Sequence, residues 1–164
     1  MYRIKQFIWA ITSKYKPIDK NLINKYLNKK EKKLFKKLKI SDQHHSIRVC
    51  NKALEENKKD KLDENKLAKI ALLHDVGKSM GNLNVIDKSI LVILDKVTKG
   101  NLRKVNNIKV DLYYNHPKKS VKLLKNINKY DNDFLEAVAN HHNKYEKVNS
   151  NKYLNIIKKC DDEC

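Results

Sequence analysis

The sequence predicts an all-α bundle, and three observations carry that expectation. Only 3 Gly and 2 Pro punctuate 164 residues, and alternating apolar and polar runs bounded by turn clusters, the mark of strands, are missing. Lys, Leu, Ile, Glu and Asn fill helical repeats throughout the chain. Apolar side chains recur at i, i+3, i+4 and i+7, the period of a buried helical stripe. The length suits one compact unit with a real core.

Taken in order, Ile4, Phe7, Ile8 and Ile11 form an amphipathic helix with Trp9. Lys5 and Gln6 interrupt it, so it is too short to span a bilayer, and no cleavable signal follows. Pro17-Ile18-Asp19 opens the next helix with Asp19 as N-cap. The lysines of Lys29-Lys30-Glu31-Lys32-Lys33 and Lys36-Lys37 surround Leu34, Phe35 and Leu38, which reads as a solvated face with an apolar back. Residues 1–40 are therefore expected as a helical appendage docked on a catalytic domain of residues 41–164.

Ser41-Asp42-Gln43 reads as a capped helix start, with His45 in line with Val49 and Ala53. Leu67, Ile70, Ala71 and His74 make a buried stripe, which Gly77 is expected to end. Beyond the Gly81-Asn82 loop, an apolar helix from Ile86 to Val97 breaks near Gly100. Residues 82–114 are placed at the substrate entrance, with Tyr113 and Tyr114 read as core packing or as a platform for a base. Pro117 is expected in the first turn of a helix, which puts the His116 ring at its entrance. Phe134, Val138 and His142 share a face with His141 beside them, and Leu154, Ile157 and Asp161 share another that Asp162 and Glu163 leave.

The polar residues on these apolar faces carry the chemistry. Burying an unpaired polar group costs about 2–7 kcal/mol, and a lone carboxylate far more. His74-Asp75 inside Leu72-Leu73-His74-Asp75-Val76-Gly77-Lys78 therefore needs a partner, and it is one of four clusters that together hold all six histidines. His44 reads as a solvated neighbour. His45, His74-Asp75, His116, His141-His142 and Asp161 lie on helices whose apolar faces meet in one core. Imidazoles and carboxylates converging there suit one or two divalent metals.

This ordered set resembles the HD superfamily of metal-dependent phosphohydrolases, in its two-metal type with additional histidines. The matching segments are His45-Ser46-x-Arg48-Val49, Leu72 to Lys78, His116-Pro117, His141-His142 and Asp161, covering about residues 40–164. The resemblance implies an all-α, HD-domain-like helical bundle. It assigns His45, His74, Asp75 and Asp161 to one metal, with Asp75 bridging to a second held by His116, His141 and His142. The metals, drawn from Fe, Mn, Co, Ni, Mg or Zn, would activate a hydroxide for in-line attack on a phosphate ester or anhydride. Lys78 would stand by the phosphate or the nucleophile, as catalytic and substrate-binding residue, and Arg48 one turn beyond His45 would meet the substrate as well. Asn143-Lys144-Tyr145-Glu146 lacks the Asp-Gly and Gly-Tyr-Pro segment of the cyclic dinucleotide phosphodiesterase branch, and Ser41 leaves no ligand for a third metal.

Of 37 basic residues only Arg3, Arg48 and Arg103 are arginines, so the net charge of +18 reads as compositional drift more than as selection for phosphate forks. The charge still draws anionic substrates, and the expected partner is a phosphorylated small molecule, a nucleotide. Cys50, Cys160 and Cys164 lack paired metal spacing and read as reduced thiols of a cytoplasmic protein. Two rival readings stand beside the hydrolase: a diiron oxygenase on the same ligands, and a basic nucleic-acid-binding module with a structural metal.

Overall fold

The computed structural model describes residues 8, 9, 12, 15–143 and 150–164. The expected N-terminal helix through Ile4, Phe7 and Ile11, and the segment Lys144-Tyr145-Glu146, lie outside the described residues. Among the described residues the chain forms eight α-helices and two 3-10 turns, with no strand. The helices are α1 (Lys20–Tyr26), α2 (Lys29–Phe35), α3 (Ile40–Asp60), α4 (Glu64–Leu73), α5 (Val85–Val97), α6 (Ile108–Lys125), α7 (Asn132–Asn140) and α8 (Lys152–Asp162). The 3-10 turns are Val76–Met80 and Asn101–Lys104. No described helix is long and apolar enough to cross a membrane.

Helix α4 is the axis of the molecule. Leu67, Ala68, Ile70, Ala71, Leu72 and Leu73 are all fully buried, so the helix is apolar almost all round, as a helix enclosed by others must be. It packs against α1, α2, α3, α7 and α8. Its own start is fixed by Asp63, whose carboxylate accepts from Lys66 N at 2.9 Å. The turn leading into it is held by Asn57, whose side chain bonds both N–H and C=O of Leu62. From α1 and α2, Ile23, Tyr26, Leu27, Leu34, Phe35 and Leu38 enter the same core. Residues 23–38 thus contribute to the bundle's own interior.

Local readings differ from the structure at four places. Helix α3 starts at Ile40 with Lys39 as an N-cap that makes no side-chain cap bond; Ser41 lies inside the helix, because core packing and not a cap sets this start. Gly77 does not end a helix: α4 stops at Leu73 and Gly77 sits in the 3-10 turn. A Cβ there would lie 2.1 Å from the His116 carbonyl oxygen and 2.5 Å from Ser120 N, so glycine is needed for close approach to α6. Pro117 is in the middle of α6, which begins nine residues earlier at Ile108 under the Asn107 cap. Glu31, expected on the solvated lysine face, is fully buried. It completes a capping box with Asn28 and accepts from the Tyr130 hydroxyl at 2.9 Å and from Lys69 at 3.4 Å.

A second, smaller core of Leu83, Leu91, Leu102, Val110 and Leu112 joins α5 and the start of α6, with Tyr113 and Tyr114 packed on it. Tyr114 bonds Asp95 and lies under the Arg103 guanidinium. Its ring is committed to packing.

Candidate metal centre

Five helices deliver the polar cluster to one point. α3 brings His45, the end of α4 brings His74 and Asp75, α6 brings His116, the end of α7 brings His141 and His142, and α8 brings Asp161. Two groups of potential ligand atoms form, Asp75 with His116, His141 and His142, and His45 with His74 and Asp161; within each group all lie within 4.8 Å of one another. Asp75 joins them. Its Oδ1 faces His116 Nε2 at 3.2 Å and His141 Nε2 at 3.6 Å, while its Oδ2 faces His74 Nε2 at 3.4 Å and His45 Nε2 at 3.8 Å. Asp161 closes the other side, with Oδ1 at 2.8 Å from His45 Nε2 and Oδ2 at 3.4 Å from His142 Nδ1.

One local device orients three of the imidazoles. Nδ1–H of His74 donates to Ala71 O at 2.7 Å, that of His116 to Tyr113 O at 2.9 Å, and that of His141 to Val138 O at 2.8 Å. In each case the acceptor lies three residues back. For His74 and His141 the helix is ending, and carbonyls of its last turn lack intrahelical partners. For His116 the helix continues, but Pro117 has no N–H to offer the Tyr113 carbonyl. Each Nδ1 bond turns Nε2 toward the centre; burial opposes the charged form of His74, but Asp75 and Asp161 raise it to about 10, so a cation bound there would displace its proton.

Those aimed atoms are orphans. Nε2 of His74, His116 and His141 and Oδ1 of Asp75 are buried without a hydrogen-bond partner. Four unpartnered polar atoms in one cluster would be costly in a finished core, and cations in the two ligand groups would satisfy all four. The residues fit a divalent metal. Burial penalises the Asp75 carboxylate, yet Lys78 and His74 hold its carboxyl well below the usual range; burial likewise opposes Asp161, and His45 and His74 hold it down. Burial draws His116 down to about 4, which keeps its imidazole neutral and able to ligate.

Of the residues expected at the site, His45, His74, Asp75, His116, His141, His142 and Asp161 are all brought together, and Lys78 pairs with Asp75. His141 is the buried member of its pair, while His142 is 45% exposed at its side chain; the helix turns His141, not His142, onto the face of Phe134 and Val138. Arg48 lies over the Trp9 ring at 4.6 Å and donates to the Cys164 carbonyl, contacts that lead away from the cluster. His44 stands apart, on Lys16 O. The sequence reading passed over Asp42 and Lys88. Buried Asp42, one turn before His45, pairs with Lys88 of α5, and its carboxyl is held down by Lys88 and Lys78 against the effect of burial. An acid one turn ahead of a ligand histidine was the available signal.

An all-α bundle that gathers five imidazoles and two carboxylates at the junction of its helices defines a metal-binding class of protein. A family model of the HD domain matches residues 43–163, and the chain belongs to the HD family, a superfamily of metal-dependent phosphohydrolases. No curated protein and no solved structure matches the chain significantly.

Proposed function

We propose that this chain is a two-cation phosphohydrolase that cleaves a phosphate ester or anhydride, with a nucleotide as its substrate class. The single observation that carries the reading is the convergence of four buried, unpartnered ligand atoms on Asp75 and its histidines. In this reading His45, His74, Asp75 and Asp161 would hold one cation, and His116, His141 and His142, with Asp75 shared, would hold the other. Five imidazoles against two carboxylates favour Fe, Co, Ni or Zn over Mg. When bound, two such cations supply Lewis acidity to the phosphoryl oxygens and activate water.

The chain's own residues do the rest. Asp75 sets the spacing of the two positions through its two oxygens, and the three Nδ1 bonds hold the imidazoles without reorganisation. Lys78, paired with Asp75 and only partly buried, directs an ammonium toward the phosphate oxygens and offsets their charge. Arg48 acts on the C-terminal turn beside Asp161. The lysine excess raises the local concentration of anions generally, and the partner is a small phosphorylated molecule more than a nucleic acid. Three free, buried cysteines suit a reducing compartment, the cytoplasm.

The test is elemental analysis of purified protein beside a screen of phosphorylated metabolites with Mn, Fe, Co, Ni, Zn and Mg. Asp75→Ala should remove most of the metal and lower turnover by more than about 100-fold, and His44→Ala should leave both nearly intact. Equal effects of the two substitutions would sink the ligand assignment. Dioxygen consumption with no phosphate release would transfer the site to oxygenase chemistry.

A further inference from the structure

Helix α5 is built inside out. Its charged residues Asp87, Lys88 and Asp95 turn toward the protein, where they pair with Lys109, Asp42 and Tyr114. Leu91 enters the second core, but four other large aliphatic residues turn away: Ile86 is 63% exposed, Ile90 49%, Ile93 62% and Val97 73%. A surface helix ordinarily does the reverse. Beside this stripe lies a mainly apolar cleft of about 270 Å³, lined by Ile90, Leu94, Leu102 and Val105 together with the Asp87–Lys109 ion pair.

Three features bear on what covers the face. Ile86, Ile90, Ile93 and Val97 are spaced 4, 3 and 4 residues apart, the seam spacing by which one helix packs along another. The helix carries two Asp and two Lys, so it is neutral in a chain of net charge +18. With Asp87, Lys88 and Asp95 engaged inward, Lys96 is its one remaining charged side chain, and it is exposed. Over most of this molecule a second copy meets net repulsion; here it meets an apolar seam and its cleft. An acidic partner, by contrast, would find its attraction elsewhere, on the exposed lysines of α2.

We propose that the outer face of α5 is the interface of a homodimer, with the seam of one copy set against the seam and cleft of the other about a two-fold axis. The inward face of the same helix holds Lys88 on Asp42, one turn before His45. Dimerisation therefore braces the wall of the metal centre.

Sedimentation velocity of the full chain across a range of concentrations and salt tests this. The wild type should dimerise, and more tightly as salt rises, because screening weakens the repulsion between two basic copies while leaving apolar contact. Ile90→Lys with Ile93→Lys should weaken the dimer at least about tenfold with helical content and bound metal retained; Ile86→Ser with Val97→Ser, which adds no charge, should weaken it in the same direction. A wild type that stays monomeric at every concentration would overturn the proposal. So would a dimer indifferent to both pairs of substitutions, or one that dissociates as salt rises, the sign expected if an acidic surface were the attractor.

Discussion

The Tyr113 carbonyl has no partner four residues on, because Pro117 stands there, and the His116 ring takes its place at 2.9 Å. A proline inside a helix costs about 3 kcal/mol, so the position gives up helix stability and gains a fixed imidazole. Pro117→Ala should reverse both. The restored N–H should raise stability to urea by about 1–2 kcal/mol, after the added freedom of the unfolded chain is subtracted. It should also compete for Tyr113 O and weaken one cation position by about 10–100-fold, the range for removing an orienting partner of a ligand histidine. Urea titration and metal titration of the same variant check the opposed signs; a stability gain with unchanged metal affinity would show that the ring is held by packing alone. Of the candidate ligands, His45, His74, His142 and Asp161 are legible as polar residues on apolar stripes, Asp75 and His141 as their neighbours, and His116 from its place before Pro117. The use of Pro117 is not, since proline most often opens a helix and nothing local distinguishes that from a helix already under way. Periodicity puts His142 on the Phe134 and Val138 face with His141 beside it, whereas His141 is the buried one, because the helix ends at Asn140 and the chain turns there.

At the scale of elements, α2 separates what charge pattern reveals from what it hides. Its lysines are read correctly as a largely solvated face, and Leu34, Phe35 and Leu38 as the buried back. Glu31 was hidden among them because its partners, Tyr130 and Lys69, come from other parts of the chain. Removing one side of such a buried network leaves donors unsatisfied and costs about 3–5 kcal/mol. Glu31→Ala should therefore lower urea stability by several kcal/mol. Replacing Lys29, Lys30, Lys32 and Lys33 by Gln should shift it by about 0.5 kcal/mol or less and leave turnover of a small phosphorylated substrate nearly unchanged at physiological salt. Comparable losses from the two variants would mean that the lysine face, and not the buried carboxylate, anchors α2. The inverted orientation of α5 was equally illegible: periodicity locates an apolar face but does not say whether it points inward.

At the scale of the whole molecule, the joining of α1, α2 and the bundle around α4 makes stability depend chiefly on the larger of its two cores. Cys50 of α3 sits fully buried in that core, and burial, with smaller contributions from Glu64 and Asp19, pushes its thiol from 9.0 up to about 12. The folded state therefore retains a proton that the unfolded chain releases once pH passes about 9. Below that value both states hold the proton and Cys50 adds no pH dependence. Between about 9 and 12 the unfolded state binds fewer protons, so stability falls as pH rises, by up to about 1.4 kcal/mol per pH unit. In urea unfolding followed from pH 8 to about pH 10, where lysines still hold their protons in the main, the buried Cys160 thiol, also pushed up to about 12, acts with the same sign, so the difference between wild type and Cys50→Ala isolates the Cys50 effect. The wild type should lose stability steadily above pH 9. Cys50→Ala should start lower, because it leaves a small cavity, yet decline less steeply by close to that amount per unit. Parallel slopes in the two proteins would place the Cys50 thiol in contact with solvent and break the inference that α1, α3 and α4 close over it as a single core.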